Sequence, residues 1–200
     1  MSEHTRTTKS RDYRKVKRAD EEQRTRARIV DAAESLHASV GPAQATISAI
    51  AERAGVTRAT VYRHFPDDES LFLACSGQWL SRQILPDADA WAAIADPEQR
   101  LRAGLADLYR YFRAGHEMLA NIERDASVVP DRVRSARLAR ERLWRETLLR
   151  GLPGARRVAV RAGVGHATAF GTWRSLCLGQ RLSDRAAVDL MVAMVLAAGA

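Results

Sequence analysis

The chain has only two cysteines, Cys75 and Cys177, and they are far apart in sequence. A disulfide framework or a closely spaced zinc site is therefore not expected. Both stand in apolar helical surroundings and read as small buried hydrophobes rather than redox sensors. Strand signals are nearly missing. No Asn-Gly or Asp-Gly pair occurs, and the apolar residues recur at helical spacing. Long hydrophobic runs are missing too. The most apolar stretch, Leu190 to Ala200, is too short to span a bilayer. The basic N-terminus is not followed by the apolar segment of a signal peptide. The expectation is a cytoplasmic all-α protein with no membrane partner. Enzyme signatures are also absent: no Gly-x-Ser-x-Gly, no P-loop, no His-Glu-x-x-His and no Cys-His-Asn grouping. No catalytic residue, metal ligand or cofactor is assigned.

What is present is positive charge, placed unevenly. The net charge is +8, which suits a nucleic acid or an anionic membrane surface. Between Arg6 and Arg18 stand seven basic residues and one acid, Asp12, so this segment carries +6 of it. Lysine disappears after Lys17, and every later cation is arginine. Residues 1–20 are polar and aperiodic and read as a disordered basic arm.

Beyond the arm, a first helix is expected from Asp20 to Ser39, with Ile29, Ala32, Ala33 and Leu36 inward and Gly41-Pro42 after its end. Thr46 should cap a short second helix that stops at Gly55, and Thr57 a third that ends at Phe65 before Pro66. A fourth opens with Asp67, Asp68 and Glu69 and runs to about Leu85. Further helices are expected at 97–115, 116–126, 130–150, 155–178 and 183–198, with Pro97 at a first-turn position and Ser183 as a cap. This gives about nine helices in three parts: the arm 1–20, a helix-turn-helix at 21–66, and a helical domain at 67–200.

Residues 46–65 have the form of two short helices joined at Gly55, a helix-turn-helix. Ile47, Ile50, Ala51 and Ala54 face inward from the first, and Val56, Val61 and Phe65 from the second. Arg58, Thr60, Tyr62, Arg63 and His64 remain for the other face. That division suits a recognition helix, and it equally suits a helical hairpin with a solvated face.

The pattern Ala51-x-x-Ala54-Gly55-Val56-Thr57-x-x-Thr60-Val61-Tyr62-x-His64-Phe65 resembles the DNA-binding domain of tetracycline-repressor (TetR) family regulators. Arg28 to Ala33 and Leu71-Phe72 look like that family as well, so the resemblance covers about residues 24–75. It implies an N-terminal helix-turn-helix domain and a variable C-terminal helical domain that dimerises and binds a small effector. It also implies a repressor released from an inverted-repeat operator by that effector. Position by position, the resemblance makes Thr46 and Ser48 phosphate contacts. It turns Arg58, Ala59 and Arg63 toward base edges, and gives Thr57, Thr60, Tyr62 and His64 phosphate or mixed contacts. For Tyr62 and His64 a structural role is the alternative. One departure stands out: Asp68 occupies a place where members often carry lysine.

Within 67–200 the row Ala159, Gly163, Ala167 and Gly171 suits close approach of another helix, which the family makes the same helix of a second subunit. The last helix, apolar nearly all round, would be covered in the same homodimer; a helix buried within its own chain is the alternative. Tyr109, Phe112, Trp144 and Phe170 are candidates to line an effector pocket, with Arg140 and His166 as its polar groups. Arg140 lies inside an apolar face and needs a partner: a ligand anion, or an internal carboxylate such as Asp107 or Glu123. His166 reads more as a satisfied core histidine than as a ligand contact. An architectural DNA-binding protein without an effector is the competing function.

Overall fold

The computed structural model describes residues 4–200, with side chains from Lys15 onward. The chain falls into two compact units, Met1–Trp79 and Leu80–Ala200.

The first unit contains α1 (His4–Ser39), α2 (Ile47–Ala54), α3 (Arg58–His64) and most of α4 (Asp68–Ser81). Ile29, Ala33 and Leu36 of α1 form one buried cluster with Ile50, Ala51, Ala54, Val61, Phe65, Leu71 and Cys75. Leu71 and Cys75 are in that cluster, which is why the unit closes at Trp79 and not at 66. The expected disordered arm also differs. Its first three residues lie outside the described ones, but from His4 on the chain is helical and continuous with the packed part of α1. Arg, Lys and Glu are good helix formers, and no Gly or Pro interrupts residues 4–39. Adding residues to an existing helix needs no new nucleus. Aperiodic polar sequence reads as coil because periodicity reports burial, and a helix exposed all round has none.

His37 sits inside this unit, its Nδ1 3.4 Å from Cys75 Sγ and its ring 4.7 Å from Phe72. Burial lowers the imidazole pKa to about 4 and pushes the Cys75 thiol up to about 12. The thiolate, the reactive form, is thereby disfavoured. The unfolded chain takes up the His37 proton near pH 6.5 and the folded one only near 4. Stability should therefore fall as pH drops through this interval and level off below it. Between pH 7 and 4 the expected loss is about 2–3 kcal/mol. Urea midpoints at both pH values, for wild type and His37→Leu, check this. An equal pH dependence in the variant rules His37 out as its source.

The second unit contains α5 (Ala88–Ala92), α6 (Pro97–Arg124), α7 (Asp131–Leu149), α8 (Val158–Ala167), α9 (Phe170–Trp173), a π-helical turn (Arg174–Gly179) and α10 (Asp184–Ala197). Pro97 opens α6 as expected, after Asp96, whose carboxylate accepts the Gln99 N–H at 2.7 Å. The two helices expected at 97–115 and 116–126 are one, kinked at Gly115. The single helix expected at 155–178 is instead divided. Thr168 turns its hydroxyl back to Val164 O, Ala169 is extended, and the chain re-enters a helix at Phe170. The π turn then carries Gln180 N–H to Ser175 O.

Leu101, Leu105, Leu108, Tyr109, Leu148, Val160, Val164, Trp173 and Val192 are fully enclosed. A Cβ on Gly104 would stand 2.4 Å from Leu148 Cδ2, so this glycine is what lets α6 and α7 approach. A Cβ on Gly163 would meet Val195 of α10 at 3.5 Å. That position of the small-residue row therefore lies beside α10 of its own chain. Arg100 carries no signal in the sequence. It is buried, and its guanidinium donates to the carbonyls of Ile94 and Ala95, just beyond α5, and of Arg150, at the end of α7. Among the described residues no helix is long and apolar enough to cross a membrane.

Candidate nucleic-acid interface

α2 and α3 are each started by a threonine. Thr46 Oγ1 accepts the Ala49 N–H at 3.2 Å, and Thr57 Oγ1 accepts the Thr60 N–H at 3.2 Å. Between the helices Gly55 takes φ +64° and its N–H returns to α2 carbonyls. An L side chain there would be strained even though space is available, since the nearest atom to a Cβ is 3.9 Å away. The apolar side of the pair is buried through Ile50, Ala51, Ala54, Val61 and Phe65. Arg26 of α1 holds its guanidinium 4.8 Å from the Phe65 ring, and Arg53 of α2 donates to Ser35 of α1 at 2.5 Å. Neither tie is visible in the sequence. Both cross between helices, which local patterns do not report.

On the outer side Thr46, Ser48, Thr57, Arg58, Ala59, Tyr62 and Arg63 are exposed, and Thr60 and His64 are half-buried. Tyr62 is 42% exposed, which argues against a core role. Thr57 and Thr60 serve first in their own helix, their hydroxyls 3.0 Å apart. Arg58, Tyr62 and Arg63 have no such local employment among the described residues. They project from a helix two turns long, anchored by Val61 beneath. The acidic start of α4 has a local cause. Asp67 Oδ1 accepts the Ser70 N–H at 2.7 Å, so one of the two acids is the helix cap.

In the second unit the six effector candidates divide. Tyr109 is enclosed and donates to Ala167 O at 3.0 Å, which makes it a satisfied core residue. Phe112 packs against Phe170 and Trp173, with centroids 5.5 and 6.2 Å away. Arg140 lies over Trp144 at 5.6 Å, in a separate group joined to the first through Tyr111. His166 is exposed, its Nδ1 3.2 Å from Thr172 Oγ1, and the reading of a core histidine is corrected. The turn at Ala169 removes it from the face it would share with Phe170 in a continuous helix. Neither carboxylate expected for Arg140 pairs with it. Asp107 serves Arg110, Trp91 and the Asp87 N–H, and Glu123 stands 3.9 Å from Arg174.

The geometry of the first unit agrees with known proteins. The profile of bacterial regulatory proteins of the tetR family matches residues 29–75. The HTH-type transcriptional regulator TtgR of Pseudomonas putida is 47% identical over 60 residues, which are 30% of this chain and 29% of that protein. An uncharacterised HTH-type transcriptional regulator of Mycobacterium tuberculosis is 34% identical over 89 residues, 43% of each chain. The chain thus matches less than half the length of these relatives. A TetR-like transcriptional regulator from Rhodococcus sp. RHA1 has the same fold, with TM-score 0.61 and 20% identity over 86% of this chain and 93% of that one. A second Rhodococcus regulator gives TM-score 0.57 and 22% identity over 86% and 96%. Residues 29–75 thus match the DNA-binding domain of the tetR family of bacterial regulatory proteins, within an all-helical fold that the chain shares with TetR-like regulators.

Proposed function

We propose that the protein is a repressor that binds an inverted-repeat operator as a homodimer and leaves it when a small molecule occupies the second unit. The observation that carries the DNA-binding part is the outer face of α3, where Arg58, Tyr62 and Arg63 are exposed while Val61 and Phe65 are buried. α3 enters the major groove, and the two copies sit about 34–36 Å apart, one turn of DNA. Thr46 and Ser48 at the start of α2 face phosphate, as do Thr57, Thr60 and His64. Ala59 is small enough for a thymine methyl to approach. Dimerisation is supported by apolar side chains left uncovered on α10, Leu190 and Met194 at 41% and 52% exposure, and on α8 at Val158.

Effector release requires a ligand whose affinity differs between the operator-bound and free states. A coupling of about 1–3 kcal/mol loosens the operator about 5- to 150-fold. The two clusters around Phe112 and Trp144 are the candidate contacts. Footprinting on genomic fragments selected by the protein tests the main reading. Symmetric protection of two half-sites by a dimer supports it, and protection of single asymmetric sites by a monomer overturns it.

Arg63→Ala separates base reading from phosphate contact. An arginine bidentate to guanine O6 and N7 contributes about 1–3 kcal/mol of discrimination at one position. The variant should lose that much on operator DNA, little on random DNA, and accept any base at one site per half. Fluorescence anisotropy on an operator library measures it, and equal losses on both DNAs assign Arg63 to the backbone.

A further inference from the structure

Among the described residues a single buried side-chain polar atom lacks a hydrogen-bond partner, Nε of Arg140. The guanidinium belongs to α7 and lies over the ring of Trp144 of the same helix, 5.6 Å from its centroid. The Nε–H, which lies in the plane of the guanidinium, has no acceptor. Among the described residues no carboxylate forms an ion pair with Arg140. The nearest acid in sequence, Glu141, stands 3.8 Å from Arg137 instead. Trp144 in turn meets the buried ring of Tyr111 edge-on at 6.2 Å, and Tyr111 leads to Phe112 at 5.8 Å. A cation with a buried, unpartnered in-plane donor thus borders a row of aromatic rings.

Leaving a buried donor unmade is costly, and a chain gains nothing from it unless something else supplies the acceptor. The Nε–Nη edge of arginine offers two parallel N–H groups, the spacing of a carboxylate's two oxygens. We propose that Arg140 anchors the carboxylate of an organic acid whose apolar body lies against Trp144 and Tyr111. This rests on the reading of the second unit as the effector domain and gives that effector its chemical class. Arg137 lies one turn away, with Glu141 3.8 Å from it.

The test uses the full-length protein and its melting temperature at fixed ionic strength. The probes are benzoate and octanoate, with benzamide, octanamide and inorganic phosphate as controls. At a concentration a hundredfold above Kd, a carboxylate should raise Tm by about 5–10 °C in wild type. The amides should not. Arg140→Met should show no response and, without ligand, melt no lower than wild type, because it removes an unpaired charge. Arg140→Lys keeps the charge and loses the two-pronged edge, so its response should shrink. The proposal is overturned if neither carboxylate shifts Tm, if both shift it equally in Arg140→Met, if phosphate alone does so, or if Arg140→Met melts well below wild type. Operator affinity in the same solutions keeps the two readings apart. Carboxylate binding at Arg140 with unchanged operator affinity upholds the anchor and removes the effector role. Operator release by the amides in both proteins does the reverse.

Discussion

Arg100→Met should destabilise the second unit by about 3–4 kcal/mol. The arginine is buried, yet among the described residues no carboxylate accompanies it. Its partners are main-chain carbonyls: Ile94 O at 3.0 and 2.7 Å, Ala95 O at 3.1 Å, and Arg150 O at 2.5 Å. These oxygens follow α5 and end α7, where carbonyls have no intrahelical donor and the helix dipole is negative. Hydrogen bonds from a charged donor contribute about 1.5–3 kcal/mol each in favourable cases, and removal also strands the acceptors. Methionine replaces the stem and none of the donors. Arg100→Lys should recover less than half, because one ammonium cannot span the carbonyls of Ile94 and Arg150 together. Urea unfolding followed by circular dichroism measures both. A loss under about 1 kcal/mol for Arg100→Met would mean that water replaces the guanidinium at these oxygens.

Removal of residues 1–18 should weaken binding to operator and random DNA alike. Seven basic residues leave with the segment. Every phosphate that no longer meets a cation lowers the salt slope by about 0.9. For roughly six such phosphates the affinity change between 50 and 200 mM salt is on the order of 10³-fold, and the truncated protein should show little of it. Specificity, the ratio of operator to random affinity, should stay within a few fold. Titrations at several salt concentrations test this, and an unchanged slope would show that the segment does not meet phosphate. The outcome is the opposite of that expected for Arg63→Ala, which changes the ratio and leaves the slope nearly alone.

The DNA-binding unit is the most legible part of the sequence. Its helix ends are written locally, in Thr46, Gly55, Thr57 and Pro66, and its core in apolar residues at helical spacing. Pro97 and Ser183 report their helix starts for the same reason, and Ser183 Oγ does accept the Ala186 N–H. What stays hidden is set by distant atoms. Arg100 binds carbonyls, which every residue owns, so no side-chain pattern announces it. The break at Ala169 depends on a threonine hydroxyl competing for a helix carbonyl, and a single helical wheel through 155–178 does not hold beyond it. Arg140 is visible in the sequence as an arginine in an apolar face. The carboxylates expected for it are taken by Arg110 and Arg174, a choice only the folded chain can make.

The continuity of α1 back to His4 bears on the speed of the search for DNA. Residues 4–18 of the helix extend about 22 Å at about 1.5 Å each. A flexible tail would sample many positions and lose that freedom on docking. A helical backbone has already given up that freedom. The segment's attraction acts at a distance, over roughly a Debye length of about 10 Å at 0.1 M salt. The cations on this segment should therefore govern how often the protein captures DNA, while α3 governs how long it stays. Association rates should fall with salt and with truncation, and dissociation from a cognate half-site should barely notice either.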